Sequence, residues 1–531
     1  MLHRAPKEYF MLVKKGFVLF LLCFWAYCAT ANTGKYRCTW RDNPSTTMVI
    51  GWQQVSGDDP ILYYDIADKG ADAAKYTKQQ DPDNTTDAKG MTHKFVRLSG
   101  LKPNTTYYFL IKDSESTSKR MSFQTAPDNP DTRLSVIAGG DSRNAREVRA
   151  KSNKLVAKLR PNVVLFGGDM TDADKDDEWQ EWLEDWQQSI AADGRMTPIL
   201  VCRGNHESIN ATLIDLFDLA ADNLYYSMSL GGNLLRIYTL NSFLPAGGDQ
   251  KTWLASDLEQ HKNAIFKLAQ YHLPMRPHVN GKENNNEEVL HWANLFNKYQ
   301  VNVAVECDAH VIKYTYPIRP SSTTGSTDGF IRDDERGTVY IGEGTWGAPL
   351  RTANNNRVWT RNSESFHGFH WLWIDKNKIE IRTVRTALSD KAAALTSKNI
   401  FDIPAGLEIW KPSNGDVVTI MAQKTAAETA NTPAPTGNED TDNVDWEKIT
   451  KITIEPTEKA IHIKYSLPTE GEVRFRLLNL RLGEVGFKEF KKQSVGGHDE
   501  LLPIDKLPKG RYFLIVKSNK KVAARYVLVR K

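Results

Sequence analysis

Three things are scarce in this chain, and each excludes a class of protein. Cysteine occurs only five times in 531 residues, and removing an N-terminal leader would leave Cys38, Cys202 and Cys307, an odd number that fits no disulfide framework. An excess of one charge is missing too, because 69 Lys plus Arg against 65 Asp plus Glu give a net charge of only +4, which argues against a nucleic-acid binder. No apolar run reaches the roughly 20 residues of a spanning helix.

The composition is otherwise that of a globular protein with several domains. Gly (34) and Pro (23) are present in ordinary amounts, which excludes collagen-like and disordered chains. At roughly 150 residues per domain the length indicates about three or four domains.

Residues 1–31 have the pattern of a secretory signal peptide. Basic residues end at Lys15, an apolar run of about thirteen residues follows at 16–28, and the small residues 29–31 offer a cleavage site before Asn32. The run is short for the alternative, an uncleaved anchor. We therefore predict a secreted, periplasmic or cell-surface bacterial protein.

Residues 32–127 are predicted to form an antiparallel β-sandwich. Short β-type runs at 48–52, 61–64, 94–98 and 107–112 alternate with turn residues. The segment 98–108 resembles the corner of a fibronectin type III domain, where a tyrosine hydroxyl bonds to upstream backbone. Tyr107 and Tyr108 both fit, and the alternation favours Tyr107.

Residues 131–421 change to an α/β pattern. Buried-strand runs at 134–138, 163–166, 198–202, 264–271 and 301–307 are each followed by a polar loop. Since such folds place their chemistry beyond the carboxyl ends of strands, we expect the loops to meet at one edge. They carry Asp141, Asp169, Asp172, Asn205, His206, His272, Asp308 and His310. This oxygen-rich set with a few imidazoles suits two divalent or trivalent cations.

The order of these loops resembles the five blocks of the calcineurin-like metallophosphoesterases. The carriers are Gly140-Asp141, Gly168-Asp169, 204–207, His272 and the pair Asp308 and His310. The fibronectin-like module makes the purple acid phosphatase branch the best match. The resemblance implies an α/β (α+β) fold: a four-layer sandwich of two mixed β-sheets flanked by helices, between N-terminal and C-terminal all-β sandwich domains.

The same resemblance assigns roles by position. It implies that Asp141, Asp169 and His310 hold one metal ion, with Asp169 bridging, and that Asn205, His272 and Asp308 hold a second, the ions being Fe, Zn, Mn or Mg. His206 would be a general acid or phosphate contact. Physically, two cations can supply a hydroxide and neutralise the phosphate oxygens.

Two positions depart from the family pattern. The purple enzymes carry a tyrosinate where this chain has Asp172, so we predict a colourless protein, and they carry His where it has Asp308. If four aspartates and a hydroxide bound two divalent ions, the charges would be −5 against +4. Three alternatives stay open: a trivalent metal, an acid outside the ligand set, or a compensating cation, for which Arg143 is placed to clamp phosphate.

The remaining polar residues of this domain are weaker candidates. We interpret Glu207 as a residue that orients its own loop. Four further side chains are more plausibly structural than functional: Arg276, His278, His367 and His370.

The last two segments are a linker, 422–445, and a β-rich block, 446–531. The block carries 19 Lys plus Arg against 10 Asp plus Glu, a net charge of +9. Because the whole chain has a net charge of +4, the residues before the block have a net charge of −5. Its pattern is similar to the C-terminal sorting domains of type IX secretion substrates, which implies an outer-membrane secretion machinery as partner. The alternative is an immunoglobulin-like module that packs on the enzyme or binds polyanionic sugars.

From these features we predict an exported binuclear metal-dependent phosphoesterase, acting on small phosphate monoesters by a metal-bound hydroxide, with no nucleic-acid partner. Two alternatives remain: a phosphodiesterase or nucleotide hydrolase with the same metals, or a non-catalytic surface-binding protein on a phosphatase scaffold.

Overall fold

The structure is a computed structural model that describes residues 32–423, 453–456, 459–467, 470–478, 484–508, 510–518 and 521–529. The predicted signal peptide and nearly all of the predicted linker lie outside the described residues. No helix in the described part of the chain is long and apolar enough to cross a membrane.

The first module is built from two four-stranded antiparallel sheets. Alternating burial along its strands shows that one face of each sheet packs inward. The sheet orders are β1-β2-β6-β5 and β4-β3-β7-β8. The strands are β1 Thr33–Thr39, β2 Met48–Gln54, β3 Ile61–Asp65, β4 Lys78–Gln80, β5 Asn84–Ala88, β6 Met91–Leu98, β7 Thr106–Lys112 and β8 Met121–Gln124, with a 3₁₀ turn at Ala73–Lys75.

A buried tyrosine fixes the corner of this module, as the sequence predicts. Tyr107 is 3% exposed, and its hydroxyl accepts a hydrogen bond from the Lys102 N–H at 2.8 Å. Its ring stacks on Phe123 with a centroid distance of 5.5 Å. Tyr107 rather than Tyr108 therefore fills the corner position.

The second domain contains two mixed seven-stranded sheets, which confirms its predicted α/β class. One has the order β11-β10-β9-β21-β22-β23 with β24 paired to β22, and the other β12-β13-β14-β15-β19-β16-β20. The strands are β9 Leu134–Gly139, β10 Val163–Phe166, β11 Ile199–Val201, β12 Tyr226–Leu230, β13 Leu235–Thr239, β14 Phe266–Gln270, β15 Val303–Glu306, β16 Ile312–Thr315, β17 Ile318–Pro320, β18 Phe330–Arg332, β19 Val339–Gly342, β20 Thr360–Glu364, β21 Gly368–Asp375, β22 Lys378–Arg385, β23 Glu408–Ile409 and β24 Val418–Met421, of which β17 and β18 form a separate hairpin.

The second domain also contains helices. They are α1 Arg146–Leu159, α2 Asp176–Trp186, α3 Asn210–Phe217, α4 Asp249–Gln260, α5 Asn286–Glu288 and α6 Asn294–Tyr299, with a π-helical segment at Val289–Ala293 and 3₁₀ turns at Gln187–Ser189 and Ser389–Lys391. The tryptophan stripe of α2 packs inward, as its spacing predicts. Trp182 stacks on Trp186 at 5.4 Å and meets Phe166 edge-on at 5.6 Å.

The last block forms two further antiparallel sheets, ordered β25-β26-β29 and β28-β27-β30-β31. Its inward side chains, among them Ile461, Phe475 and Leu502, make one apolar cluster. The strands are β25 Thr453–Pro456, β26 Ala460–Leu467, β27 Gly471–Leu478, β28 Glu484–Gln493, β29 Gly496–Pro503, β30 Gly510–Ser518 and β31 Lys521–Val529. This block is all-β, as predicted.

An ion-pair joint connects the first module to the second domain. Asp218, at the C-terminal end of α3, is 2% exposed. Arg97 binds both of its carboxylate oxygens, at 2.7 and 2.6 Å, and Asn84 donates to one at 2.9 Å. Arg41 adds a bond to the Asp218 carbonyl at 2.7 Å. Strands of the first module thus hold the end of a helix that follows one of the candidate site loops.

Candidate metal centre

Five strand ends bring the predicted site residues to one edge of the two sheets. In one sheet β9, β10 and β11 are parallel neighbours and deliver the loops of Asp141, Asp169 and Asn205. In the other, β14 and β15 are parallel neighbours that end before His272 and His310. Parallel strands that share a direction end at the same edge, so the topology gathers the loops within each sheet. The contacts of His272 with Asp169 and of His310 with Asp141 join the two edges.

Asp141, Asp169 and His310 form the first group of ligand-type atoms. One such atom from each lies within 4.8 Å of the other two, and all three residues are buried. His310 donates from Nδ1 to the Pro349 carbonyl at 2.9 Å, while its buried Nε2 makes no hydrogen bond, although it lies 3.1 Å from Asp141 Oδ1. A histidine oriented through one ring nitrogen with the other free is the usual arrangement of a metal ligand.

His272 extends the centre from Asp169 to Asn205. Its Nε2 lies 3.3 Å from Asp169 Oδ1 and 3.0 Å from Asn205 Oδ1. The other ring nitrogen bonds the Gly167 carbonyl at 2.8 Å. Asp169 is therefore close both to the Asp141 and His310 pair and to the Asn205 and His272 pair, as a bridging ligand would need to be.

The electrostatics of this cluster favour a positive charge at its centre. Although burial acts in the opposite direction, the carboxylates of Asp169, Asp141 and Asp308 raise the pKa of His272 to about 9. Burial likewise opposes ionisation of Asp141, but His272 and His310 outweigh it and hold its pKa below the usual value. Donor set, burial and charge all fit hard or borderline metal ions.

Asp308 takes a different position from the other predicted ligands. Its backbone N–H donates to Asp141 Oδ1 and Oδ2 at 3.2 and 3.1 Å, but its carboxylate receives Lys282 Nζ at 2.7 Å on both oxygens. Within the described residues, neither group of clustered ligand atoms includes Asp308. Lys282 belongs to no motif in the sequence, so no pattern predicts this partner.

Asp172 also lies outside the clustered groups. Its side chain is 53% exposed and pairs with Arg143 Nη1 at 2.7 Å, and this hydrogen bond lowers the pKa of Asp172. Arg143 uses Nε to bind Asp169 Oδ2 at 3.1 Å. The predicted cation is therefore present at the centre, and it links Asp169 to Asp172.

His206 lies at the solvent side of the cluster. Its backbone N–H donates to Asp169 Oδ1 at 3.0 Å, and its ring Nδ1 bonds the Asp172 carbonyl. The ring is 23% exposed, with Nε2 3.8 Å from Asp169 Oδ2. This position leaves Nε2 available to a substrate.

Glu207 fastens two of the loops together from below. Its carboxylate accepts backbone N–H bonds from Asp169 at 3.0 Å, Met170 at 2.8 Å and Gly204 at 2.6 Å. Burial and the neighbouring Asp169 raise the pKa of Glu207 to about 7. The contacts agree with its interpretation as a residue that orients its loop.

A cysteine and a glycine are further members that the motifs did not reveal. Cys307 Sγ groups with ligand atoms of Asp141 and His272 within 4.8 Å, and burial raises the pKa of its thiol well above the usual value. A Cβ on Gly344 would lie 1.7 Å from Asp141 Oδ2. Gly344 is thus required by the close approach of the backbone to the centre.

The site loops share a strained backbone. Five residues other than glycine adopt left-handed φ values between 47° and 68°: Asp141, Arg143, Asp169, Asp308 and His310. Each such conformation costs of order 1–3 kcal/mol and is typical of functional sites. The strain gathers at the ends of the strands that carry the ligands.

Two of the weaker candidates, His278 and Arg276, serve structural bonds behind the centre. His278 is buried, with Nδ1 3.3 Å from Glu343 Oε1 and Nε2 2.8 Å from the Thr360 hydroxyl. Arg276 donates to the Asp328 carbonyl at 2.6 Å. Neither belongs to a clustered ligand group in the described ranges.

The other two weaker candidates lie on the strand β21 or just before it. His370 is 1% exposed, and its Nδ1 meets the Tyr314 and Thr383 hydroxyls at 3.2 and 3.1 Å. His367 is partly exposed beside the backbone of Thr345. The interpretation of His370 as a core residue agrees with this burial.

The group of ligand-type atoms fits a metal-dependent phosphoesterase, and comparisons with known proteins support this class. Residues 34–125 match the purple acid phosphatase N-terminal domain, and residues 138–311 match the calcineurin-like phosphoesterases. No curated protein matches the chain. Residues 138–311 are therefore similar to the metallophosphoesterases, and residues 34–125 to the N-terminal module of the purple acid phosphatases.

Two solved structures share the fold at low sequence identity. The purple acid phosphatase PPD1 from yellow lupin (Lupinus luteus) seeds is 14% identical, covers 70% of this chain and 76% of its own, and has a TM-score of 0.55. PhoD is 11% identical, covers 75% of this chain and 94% of its own, and has a TM-score of 0.53.

Proposed function

We propose that the protein is an exported phosphomonoesterase with a binuclear metal centre. The observation that carries the proposal is the closeness of Asp169 to two sets of donors. Asp169 shares one ligand group with Asp141 and His310, and its Oδ1 lies 3.3 Å from Nε2 of His272. A single carboxylate placed in this way can serve two ions.

Under this proposal each ion would be held by three of the clustered residues. Asp141, Asp169 and His310 would hold one, and Asn205, His272 and Asp169 the other. The donors suit Fe, Zn, Mn or Mg. Such a centre, when loaded, supplies an activated water and neutralises charge on the phosphate.

The ion pairs around the centre support a balanced charge. Asp172 is paired with Arg143 and Asp308 with Lys282, so two of the four aspartates carry their own cation. Asp141 and Asp169 would then face two divalent ions, leaving an excess of positive charge for an anionic substrate. Two of the three alternatives for the charge problem therefore have support, because Asp172 and Asp308 lie outside the clustered ligand groups and each is paired with a cation.

His206 is the proposed proton donor to the leaving group. Because its Nδ1 bonds the Asp172 carbonyl, the transferable proton would be on Nε2, the nitrogen nearer the cluster. Arg143 would offer Nη2 to a phosphate oxygen, since Nε and Nη1 bind Asp169 and Asp172. General acid catalysis of this kind contributes roughly 10²- to 10⁴-fold.

Hydrolysis of phenyl phosphate by metal-loaded protein, with metal content measured on the same samples, tests the proposal. We expect activity that chelation removes and that Asp169→Asn abolishes together with bound metal. Asp172→Asn should keep its metal, and Asp334→Asn, a change at an exposed surface acid, should keep both metal and activity. Activity indifferent to chelation and to Asp169→Asn would reject the mechanism.

A phosphodiester run in parallel separates the alternative activity. Bis(4-nitrophenyl) phosphate should be a poorer substrate than the monoester if the proposal is right. Protein that binds two ions but hydrolyses neither ester would instead favour the surface-binding alternative.

Export and colour complete the proposal. Residues 1–31 would direct export, and the block from 446 would serve an outer-membrane secretion machinery. Since Asp172, bound to Arg143, stands where the purple enzymes have a tyrosinate, the metal-loaded protein should show no phenolate charge-transfer band in its visible spectrum.

A further inference from the structure

The strongest unassigned feature of the molecule is a pair of cations on the Asp308 side of the centre. Lys282 Nζ binds the Asp308 carboxylate at 2.7 Å. Arg351 Nη1 binds the Asp308 carbonyl at 2.6 Å. One residue of the site loop therefore anchors two cationic side chains.

Arg351 is tied to the centre at both ends. Its backbone N–H donates to the carbonyl of His310 at 3.2 Å, while its guanidinium bonds Asp308, whose own N–H donates to Asp141 at 3.1 Å. Because the N and O atoms of one residue are only a few ångströms apart, these links place the guanidinium within about 10 Å of the Asp141 carboxylate.

The charges on this side do not cancel. Lys282 and Asp308 neutralise each other, but Arg351 forms no ion pair with any carboxylate in the described part of the chain. Arg143 differs, since it binds two carboxylates on the opposite loops. The Asp308 side of the rim thus carries the positive charge of Arg351, which no carboxylate in the described part of the chain neutralises.

Both side chains are accessible. The Lys282 side chain is 27% exposed, and Arg351 is partly exposed beside Leu350, which is 38% exposed. A guanidinium that is partly exposed and uses one nitrogen for a carbonyl bond is suited to an incoming carboxylate or phosphate, because the planar fork offers several donors.

We propose that Arg351 and Lys282 form a second anion-binding site, and that preferred substrates are phosphate monoesters whose leaving group carries a further anionic group, a carboxylate or a second phosphate. The inference rests on the proposed function. Arg351 would be the main contact, with Lys282 positioned by Asp308 to add a second. Neither residue lies in a family motif of the sequence.

Three aryl esters of the same frame test this preference: phenyl phosphate, 4-carboxyphenyl phosphate and 1,4-phenylene bisphosphate. We expect wild-type kcat/KM to be higher for the two esters with a second anion, and a comparison between them identifies which anion is preferred. Arg351→Gln should reduce the ratio of their kcat/KM to that of phenyl phosphate by about 10- to 100-fold, the usual effect of losing a charged hydrogen bond. Arg351→Lys should restore part of the ratio.

Binding of non-hydrolysable analogues gives a readout independent of turnover. Isothermal titration of metal-loaded protein with phenylphosphonate and 4-carboxyphenylphosphonate should show tighter binding of the second, with the difference lost in Arg351→Gln and reduced in Lys282→Gln. Arg332→Gln, at an exposed arginine paired with Asp334, is the matched control and should retain the difference.

The outcomes separate this inference from the function on which it rests. Protein that hydrolyses phenyl phosphate but shows no preference for a second anion would overturn the second site alone. Equal losses on all three esters in Arg351→Gln would also overturn it, since Arg351 would then serve the scissile phosphate or the fold. Failure to hydrolyse any ester would refute the proposed function, while the phosphonate titration would still judge the anion site.

Discussion

Exchanging Glu207 for Gln offers a direct test of how the centre is held together. The Glu207 carboxylate accepts three backbone N–H bonds from the loops of Asp169 and Gly204, at 2.6 to 3.0 Å. An amide of the same shape has only one acceptor oxygen. Whichever way it is turned, at least one buried N–H group of Asp169, Met170 or Gly204 then faces an NH₂ group.

The magnitude follows from this count of bonds. Hydrogen bonds to a charged acceptor contribute about 1.5–3 kcal/mol each, and an unpaired buried donor costs about 1–3 kcal/mol. Because Gln also removes a charge that burial and Asp169 disfavour, part of this loss is offset, and we expect Glu207→Gln to lower the free energy of unfolding of the metal-free protein by about 1–2 kcal/mol. Mutation of a residue that orients metal ligands typically lowers metal affinity by about 10- to 100-fold. We expect Glu207→Gln to lower the metal affinity within that range.

The assay is calorimetric titration of metal-free protein with Mn²⁺ or Zn²⁺ at pH 8. This pH is above the pKa of about 7 to which burial and Asp169 raise Glu207, so the wild-type carboxylate is ionised. Glu178→Gln is the matched control: Glu178 accepts the Ala173 N–H at 2.7 Å at the start of α2, outside the clustered ligand groups.

Both variants should unfold at lower urea concentration, but only Glu207→Gln should bind metal more weakly. Wild-type metal affinity in Glu207→Gln would show that the loops keep their positions without the carboxylate, and our account of the centre would be wrong.

Two further predictions concern stability. Burial lowers the pKa of His370 to about 3, so between pH 6.5 and 3 the unfolded chain binds a proton that the folded chain does not. In this range the free energy of unfolding decreases by about 1.4 kcal/mol for each unit by which the pH is lowered. Between pH 7.5 and 5, wild type should therefore lose about 2 kcal/mol more than His370→Gln in urea unfolding, and equal losses would contradict this. Removal of the hydroxyl in Tyr107→Phe leaves the Lys102 N–H without its acceptor and should lower the free energy of unfolding by about 1–2 kcal/mol. Thermal unfolding measures the change, and the control variant Tyr108→Phe should unfold like wild type.

Much of the fold could be predicted from the sequence, because local patterns dictate it. The run 163–166 is continuously apolar and becomes a strand buried on both faces, and the three tryptophans of α2 recur at helical spacing and are buried. The convergence of Asp141, Asp169 and His272 was predictable as well, since strand ends of parallel sheets share an edge.

The partners of the acidic residues could not be predicted in this way. Asp172 and Asp308 have the same carboxylate as Asp141, and only the folded chain shows that each faces a cation. Lys282 comes from a turn 26 residues before Asp308 in the chain, and Arg351 from a loop 43 residues after it. Contacts of this range depend on loop paths that no periodicity records.

The ion-pair joint at Asp218 has a consequence for any exchange of the first module. Its donors, Asn84, Arg97 and Arg41, all precede residue 127, whereas the acid they satisfy belongs to the second domain. An unrelated sandwich in that place would leave the Asp218 carboxylate without its partners, a change that proteins tolerate poorly. A graft of a new first module therefore needs a neutral residue at position 218 or a new set of donors facing it.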